Sequence, residues 1–226
     1  MINIQNLSKK FGDKQVLKNV NMQFERGNVY GIVGENGSGK TTLFRCIAGL
    51  EKYEGKITSD LNPLKNYLGL LLTEPFFFPK ITGKEYIRLV CNARKKEALK
   101  IDDKNIFDLP LNQYASTYST GMKKKLALLA ILLQENQYFI LDEPFNGVDI
   151  HSNIIIVDLI HKLKALGKTV MISSHIFSTL SDTCDEIYLQ KNGEIVKKVF
   201  REDFDTLEHE MKEFTIGNKI EKLELK

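Results

Sequence analysis

The chain has 226 residues, enough for one sizeable domain or for one domain with an inserted subdomain. Hydrophobic residues make up 42% of it and charged residues 27%, which is typical of a soluble globular protein. The net charge of +3 is too small to indicate binding to nucleic acid, so we expect no nucleic-acid partner. Apolar runs such as residues 126–133 are far shorter than the roughly 20 residues needed to cross a bilayer.

The cysteines and the N-terminal residues indicate a reducing compartment and no export signal. Cys46, Cys91 and Cys184 are far apart and have no metal-ligand spacing, so we expect buried, inert thiols. The first residues lack a basic region followed by an apolar core, so we expect no signal peptide. A role at a membrane would then need a partner protein.

The N-terminal residues predict a pair of strands. Apolar and polar residues alternate over residues 2–7 and 16–24, with a turn at Gly12 and Asp13 between them. Phe11 stands just before the turn. Its position fits a strand-end aromatic packed on the core as well as an exposed platform for a purine base.

The strongest motif covers residues 34–41, which read Gly, four residues, Gly-Lys and Thr. Residues 28–33 predict a strand before it, and residues 40–50 a helix after it. In this context the glycines let the backbone bend around phosphate oxygens, and the helix N-terminus adds its positive dipole. We expect Lys40 to reach the β- and γ-phosphates and the Thr41 hydroxyl to bind Mg²⁺.

Two further short strands are predicted over residues 55–58 and 67–72. The second is followed by an aromatic run, Phe76–Phe78, that is bounded by prolines and therefore cannot lie inside a helix. The run fits a buried loop or an exposed hydrophobic contact.

The following segment predicts a small helical region. Thr82 and Glu85 form a capping-box pattern for a helix that ends near Ala93. Residues 94–112 predict short helices or loops at the periphery of the sheet.

An apolar helix is predicted to begin after Ser119, a natural N-cap, and to include residues 126–133. Three consecutive lysines, residues 123–125, stand in its first turn, where the helix dipole favours anions. They fit a solvated cationic face, and they also fit a helix start that faces a bound anion.

The strand predicted over residues 138–141 ends in two adjacent carboxylates, Asp142 and Glu143. Ligands gather at the carboxyl ends of parallel strands, so we expect both acids near the phosphate-binding loop. Asp142 is predicted to support Mg²⁺ as a hard oxygen ligand, and Glu143 to orient or deprotonate an attacking water. The alternative is that both acids cap the next turn.

Another buried strand, residues 169–174, is followed by His175, which we expect to contact the γ-phosphate. The other histidines, His151, His161 and His209, are predicted at the surface. Residues 185–190 and 194–199 predict a hairpin around Asn-Gly. A turn is predicted at residues 146–149, followed by a long helix that ends near Ala165. From residue 200 onward a short helix and then a poorly constrained tail are predicted.

These landmarks resemble the nucleotide-binding subunit of ATP-binding cassette (ABC) transporters over nearly the whole chain. Residues 34–42 resemble the Walker A loop, residues 138–143 resemble Walker B with its catalytic glutamate, and residues 145–149 resemble the D-loop. His175 resembles the switch histidine, and Phe11 the aromatic that stacks on adenine.

The resemblance implies an α/β P-loop NTPase fold. Its parts are a mixed or parallel central sheet, an N-terminal antiparallel β subdomain and a small inserted α-helical subdomain. Residues 1–226 would form one domain, in which 1–74 and 136–200 make the ATP-binding core. Residues 75–135 would be the helical subdomain with the signature motif, and 201–226 a short C-terminal extension.

The resemblance also implies the site residues and the ligands, ATP and Mg²⁺. The catalytic residues would be Glu143, His175 and Lys40. The implied ATP-binding residues are Phe11, Gly34, Glu35, Asn36, Gly37, Ser38, Gly39, Lys40, Thr41 and Thr42. The implied signature residues are Ser119, Thr120, Gly121 and Met122, and the D-loop residue is Asp149. The metal-binding residues would be Thr41 and Asp142, with Thr73 or Glu74 as a further candidate.

The chain departs from the family pattern at two places. Its signature keeps Ser119 and Gly121 of the common Leu-Ser-Gly-Gly-Gln, whereas Thr120 and Met122 differ from it. This version is similar to that of ATPases that work with separately encoded exporter-type membrane subunits. Thr73 stands where the family's Q-loop has glutamine. The metal contact that this glutamine makes in the family would here come from Thr73, from Glu74 or through a water molecule.

The implied function is ATP hydrolysis that drives transport through a partner membrane permease. Two ATPase subunits, identical or different, would pack head to tail, so that Ser119 and the Gly121 N–H of one face the γ-phosphate bound to the other. Such a subunit would be cytoplasmic and peripheral on the membrane. A regulator that hydrolyses little ATP is the alternative, and a nucleic-acid-associated relative is disfavoured by the length and charge.

Overall fold

The computed structural model describes the backbone of residues 1–216 and the side-chain environments of residues 1–210. An antiparallel sheet of three strands occupies the N-terminal region: β1 (Ile2–Phe11), β2 (Lys14–Phe24) and β4 (Glu54–Ser59), in the order β2-β1-β4. The predicted first two strands are confirmed and are longer than expected. They continue until the tight turn, where Gly12 adopts a φ of +55°.

A second sheet of six strands carries the order β5-β6-β7-β3-β8-β9. Its strands are β3 (Val29–Val33), β5 (Leu68–Leu71), β6 (Tyr138–Asp142), β7 (Thr169–Ser174), β8 (Glu186–Lys191) and β9 (Glu194–Phe200). Pairs among the first five strands in this order are parallel, and β8 pairs with β9 in the antiparallel direction. The mixed central sheet expected from the sequence is confirmed.

The central strands are buried on both faces, which is why they read as continuous apolar runs. Along β3, Val29 and Val33 join one buried cluster, while Tyr30 and Ile32 join the cluster on the opposite face. The second cluster also contains Phe24 of β2, so the antiparallel sheet covers that face. The parallel strands therefore hold their C-terminal ends at one edge between two packed layers.

Six helices connect or flank the strands in the described part of the chain. They are α1 (Lys40–Ile47), α2 (Gly83–Asn92), α3 (Thr120–Leu132), α4 (Ile150–Ala165), α5 (Phe177–Ser181) and α6 (Phe204–Ile216). α1 ends earlier than predicted, because Gly49 takes a left-handed φ of +74° that breaks the helical bonding pattern. α6 has 13 residues and is longer than the predicted short helix. The predicted tail after residue 216 lies outside the described residues.

Helix α2 begins as the sequence predicts. The Thr82 side chain accepts a hydrogen bond from the Glu85 N–H (3.2 Å), and the Glu85 carboxylate accepts one from the Thr82 N–H (2.8 Å). This reciprocal capping box satisfies two backbone donors that the first turn leaves unpaired. Turns and irregular backbone occupy residues 94–112, so of the predicted short helices or loops the structure shows loops.

The three cysteines are buried, as expected. Burial raises the pKa of the Cys46 thiol to about 11 and that of the Cys184 thiol to about 12, so both stay protonated at neutral pH. Among the described residues, no helix combines the length and the apolar character needed to cross a membrane.

The β8–β9 turn ties the two sheets to the loop that follows β3. The Gly193 carbonyl accepts a hydrogen bond from the Lys18 N–H (2.9 Å), and the Gly193 N–H donates to the Ser38 carbonyl (3.1 Å). Gly193 has a φ of +84°, and a Cβ on it would lie 2.3 Å from the Val16 carbonyl oxygen. Both the backbone conformation and the close approach require glycine.

We predict that Gly193→Ala destabilises the protein more than Gly37→Ala. Both glycines have a φ of +84°, but a Cβ on Gly37 would meet nothing within 4 Å. Each substitution incurs a cost of about 1 kcal/mol for the left-handed backbone. Overpacking against Val16 should add about 1–3 kcal/mol at Gly193. Chemical unfolding of both variants measures the difference, and equal free energies of unfolding would contradict the close approach.

Candidate functional site

The loop over residues 34–39 joins β3 to α1 and surrounds the Lys40 side chain. The Lys40 ammonium is 6% exposed and donates to the carbonyls of Gly34 (2.7 Å) and Glu35 (3.2 Å). Burial lowers its pKa, and the charges of Glu143 and Asp142 partly offset that effect. The loop thus holds a desolvated cation beside the N-terminus of α1, where an anion is favoured.

Close packing explains the glycine at the start of the loop. A Cβ on Gly34 would lie 2.3 Å from the Gln190 carbonyl oxygen and 2.8 Å from the Ser38 hydroxyl. Gln190 is 1% exposed, and its side-chain amide donates to the Ser38 carbonyl (3.1 Å). Strand β8 therefore supports the loop from behind. Sequence reasoning missed Gln190, because its role depends on β8 lying beside β3.

Asp142 ends β6 with a fully buried carboxylate that three hydroxyl groups contact. Thr41 and Thr73 donate to its Oδ2, each at 2.7 Å, and Ser173 donates to its Oδ1 at 2.6 Å. These partners come from α1, from the residues after β5 and from the end of β7. Ser173 was missed from the sequence, since its contact follows from the parallel register that sets it opposite Asp142.

The oxygen donors around Asp142 fit Mg²⁺. In the described part of the chain, no group of three or more His, Cys, Asp or Glu side chains forms a metal site. One carboxylate with neighbouring hydroxyls suits Mg²⁺, which keeps several waters and binds substrate phosphates rather than an all-protein cage. Of the two alternatives at the Q-loop position, Thr73 contacts Asp142, whereas the Glu74 side chain is exposed.

Glu143 faces the two other side chains expected to share its site. Its Oε2 lies 2.9 Å from His175 Nδ1, and its Oε1 lies 3.8 Å from Lys40 Nζ. The Glu143 N–H donates to the Ser173 hydroxyl (3.0 Å). The backbone of Glu143 has a φ of +50°, an uncommon conformation for a residue with a side chain. The structure therefore brings together Glu143, His175 and Lys40.

The two acids do not cap the next helix. Asp149 takes that position at the start of α4, where its side chain accepts from the Ser152 N–H (2.8 Å) and hydroxyl (2.8 Å). These hydrogen bonds and the Lys125 ammonium (3.1 Å) hold the pKa of Asp149 below its usual range. The alternative that Asp142 and Glu143 serve as turn caps is therefore wrong.

Phe11 is an exposed platform and is not packed on the core. Its side chain is 47% exposed at the end of β1, and the Lys9 ammonium lies 4.4 Å from the ring centroid. Phe11 shares an open cavity of about 1000 Å³ with Lys40, Glu143 and His175. A flat apolar ring at one end and cationic or polar groups at the other suit a ligand with an aromatic base and an anionic tail.

The signature residues do not line this cavity in the same chain. Ser119 caps α3 by accepting from the Met122 N–H (3.2 Å), and both Ser119 and Thr120 are exposed. Gly121 packs against the D-loop, because a Cβ on it would lie 2.6 Å from the Gly147 carbonyl oxygen. The α3 N-terminus is thus open to a ligand or a surface outside this chain.

The prediction of a solvated cationic face is wrong for two of the three α3 lysines. Lys124 is 2% exposed and donates to the carbonyls of Glu143 (2.8 Å) and Asn146 (2.7 Å). Lys125 forms an ion pair with Asp149. Their positions depend on how α3 packs against the residues after β6, which helix periodicity does not predict.

The sequence comparisons point to one family. Residues 17–146 match the family model described as ABC transporter. The ABC transporter ATP-binding protein NatA of Bacillus subtilis (strain 168) is 33% identical over 87% of this chain and 88% of its own length. The lantibiotic transport ATP-binding protein SrtF of Streptococcus pyogenes is 31% identical over 87% of this chain and 89% of its own length.

Solved structures share the fold. An ATP-binding subunit of an ABC transporter has a TM-score of 0.83 and 24% identity, covering 92% of this chain and 93% of its own. A dimeric ATP-binding cassette in a post-hydrolysis state, bound to ADP and Pi, has a TM-score of 0.80 and 23% identity. The match covers 89% of this chain and 99% of that chain. At these identities the likeness shows the fold, which is that of an ATP-binding cassette. The chain belongs to the ABC transporter family, and the resemblance found in the sequence is confirmed.

We predict that Thr73→Val weakens Mg²⁺-dependent ATP binding by about 5- to 10-fold, because a hydrogen bond to the buried Asp142 is worth about 1–1.5 kcal/mol. Thr73→Ser keeps the hydroxyl and should bind within about twofold of the wild type. Titration of a fluorescent ATP analogue at several Mg²⁺ concentrations measures both. An unchanged Mg²⁺ dependence in Thr73→Val and in Thr73→Gln would mean that this position does not support the metal.

Proposed function

We propose that this chain binds ATP with Mg²⁺ and hydrolyses it to drive transport by a partner membrane subunit. The observation that carries the proposal is the convergence of Lys40, Asp142, Glu143 and His175 at the mouth of the residue 34–39 loop. Phosphoryl transfer needs positioned charges around the phosphates and an oriented nucleophile, and these groups supply both.

The proposal assigns a role to each group of the site. Residues 34–42 cradle the phosphates with backbone N–H groups, Lys40 contacts the β- and γ-phosphates, and Phe11 stacks on the adenine. Thr41 and Asp142 would hold Mg²⁺, which would supply positive charge to offset that of the phosphates. Thr73 supports Asp142 through its hydrogen bond.

Glu143 and His175 act on the nucleophile. The Glu143 carboxylate orients the attacking water and accepts its proton. His175, 2.9 Å from that carboxylate, holds its orientation and contacts the γ-phosphate. Lys40 stabilises the charge that develops on the transferred phosphoryl group.

The active unit in this proposal is a dimer, of two copies or of this chain with a related subunit. Ser119, Thr120, Gly121 and Met122 lie outside the cavity of their own chain, and the N-terminus of α3 is exposed. A head-to-tail partner would complete each site by presenting that helix end, with the Gly121 N–H, to the γ-phosphate. The Asp149 D-loop would lie at this interface. The dimeric form of a structurally similar cassette supports this arrangement.

The permease partner is proposed to dock beside the Q-loop position. Phe76 is 70% exposed and Phe78 is 54% exposed, and their rings contact each other at 5.3 Å. Phe77 instead packs on Tyr86 of α2, with ring centroids 4.5 Å apart. The exposure of Phe76 and Phe78 supports the contact alternative for this aromatic run, because exposed apolar patches often mark interfaces.

The domain division and location follow from the same proposal. In this proposal residues 1–74 and 136–200 form the ATP-binding core and residues 75–135 form the helical subdomain. Residues 201–226 are assigned to a C-terminal extension, of which residues 217–226 lie outside the described part of the chain. The subunit would be peripheral on the cytoplasmic face of the membrane through its permease. The relative named for lantibiotic transport supports a transport function, and the signature over residues 118–123 supports an exporter-type system.

A regulator that hydrolyses little ATP remains the competing function, because the signature and the Q-loop position depart from the family pattern. The presence of Glu143 and His175 at hydrogen-bond distance favours hydrolysis. Steady-state ATPase activity of the purified protein separates the two functions.

We predict that Glu143→Gln lowers ATP hydrolysis at least ~100-fold, because the amide cannot accept the proton of the attacking water. ATP should still bind, so the variant should form a stable dimer with ATP and Mg²⁺. Phosphate release and gel filtration measure these effects. Glu97→Gln, at an exposed carboxylate in the turns after α2, is the matched control and should behave as the wild type. A variant that elutes only as a monomer with ATP would count against the dimeric mechanism.

We predict that replacing Phe76 and Phe78 together with Ser abolishes co-purification with the membrane subunit while ATP binding persists. The two rings contribute exposed apolar area that an interface would bury. Val196→Ser, at a 51% exposed apolar residue on β9, is the control. Full recovery of the membrane subunit with the folded double variant would reject this docking surface.

A further inference from the structure

Lys124 places a buried ammonium group against the backbone of the residues that follow β6. The side chain is 2% exposed, and Nζ donates to the carbonyls of Glu143 (2.8 Å) and Asn146 (2.7 Å). A buried lysine is costly unless its charge is compensated, so its retention at this position needs partners. Burial lowers the pKa of Lys124, while the charges of Glu143 and Asp142 partly restore it.

The two carbonyls that Lys124 contacts belong to a strained turn. Glu143 has a φ of +50°, a left-handed conformation that is unfavourable for a residue with a side chain. The backbone hydrogen bond that closes this turn, from the Asn146 N–H to the Glu143 carbonyl, is long at 3.3 Å. A cation that contacts both carbonyls stabilises the turn more strongly than this backbone bond does.

Two neighbouring contacts join α3 to the same segment. The Lys125 ammonium lies 3.1 Å from the Asp149 carboxylate and 3.0 Å from the Ser152 hydroxyl. At the start of α3, Gly121 approaches the Gly147 carbonyl so closely that a Cβ would lie 2.6 Å from it. The helix that begins at the signature residues is therefore fixed to both ends of the segment over residues 143–149.

We propose that Lys124 is a positioning residue that holds the backbone of Glu143 in place and links α3 to the catalytic carboxylate. The inference rests on the hydrolytic function proposed above. The Glu143 carboxylate lies 2.9 Å from His175 and 3.8 Å from Lys40, so its alignment depends on the backbone that Lys124 holds. A misplacement of about 1 Å at a reacting group can cost ~100-fold in rate.

The adjacent lysines provide a matched test. Lys124→Met keeps the length and apolar stem of the side chain but removes the donor, and Lys123→Met makes the same change one position earlier on α3. We expect Lys124→Met to lower kcat for ATP hydrolysis at least ~10-fold with KM within about twofold, because phosphate binding is separate from the Glu143 backbone. Lys123→Met should retain the wild-type kcat. A Lys124→Met kcat within about twofold of the wild type would overturn the inference.

A conservative variant separates positioning from general stability. Lys124→Gln keeps an N–H donor on a shorter side chain, so its kcat should lie between those of the wild type and Lys124→Met. If Lys124→Met does not fold, Lys124→Gln decides the question by the same split between kcat and KM. A Lys124→Gln variant with wild-type kcat, or one whose loss lies entirely in KM, would contradict a positioning role.

Hydrogen exchange tests the inference without relying on hydrolysis. In Lys124→Met or Lys124→Gln, amide exchange over residues 143–149 should accelerate, while exchange over residues 29–33 should match that of Lys123→Met. Unchanged exchange over residues 143–149 would overturn the inference even if the protein hydrolyses ATP. Conversely, a wild-type protein without ATPase activity but with the expected exchange pattern would overturn the hydrolytic function and leave the positioning contact supported.

Discussion

A buried carboxylate at the end of β6 is the constraint on which the site depends. Asp142 is fully buried, and a charge without water must be compensated by close hydrogen-bond donors. Hydroxyls from α1, from the segment after β5 and from β7 supply that compensation. These contacts hold the phosphate-binding loop, the Q-loop position and the end of β7 in a fixed relation. Because the donors also fit Mg²⁺, the interaction that stabilises this edge of the sheet would also prepare it for the proposed nucleotide.

The residue after Asp142 shows how the chain places a reactive group. Glu143 leaves the strand with a left-handed backbone, which turns its side chain toward Lys40 and His175. Strain of this kind persists where surrounding contacts fix the conformation. Here the contacts are the Ser173 hydroxyl on the Glu143 N–H and the Lys124 ammonium on its carbonyl. The carboxylate is thus oriented by backbone contacts on both sides of its residue.

The site residues within one chain fall into two separate groups. The phosphate loop, Glu143 and His175 share one cavity, whereas the exposed start of α3 does not line it. The α3 lysines and Gly121 nevertheless connect that helix to residues 143–149. A contact made at Ser119 by a second subunit would therefore act on the segment that carries Glu143. In this arrangement, closure of two subunits and alignment of the carboxylate become one event.

The sequence by itself predicted most of the fold, and it predicted the groups that the structure brings together in the candidate site. Continuous apolar runs over β3, β6 and β7 predicted buried parallel strands, and the glycine spacing over residues 34–39 predicted the phosphate-binding loop. These signals are local, because strand burial, helix capping and glycine backbone freedom act within a few residues. The pair Asp142 and Glu143 was recognisable for the same reason, as adjacent acids after a buried strand.

Only the tertiary structure decided which distant residues support those groups. Ser173 contacts Asp142 because β6 and β7 pair in one register, and Gln190 supports the loop because β8 lies beside β3. The burial of Lys124 depended on the packing of α3, since the lysine run alone indicated a solvated face or a helix start that faces an anion. Local sequence fixes which groups a segment offers, whereas register and helix packing bring together residues far apart in the chain, and those contacts set the geometry of the site.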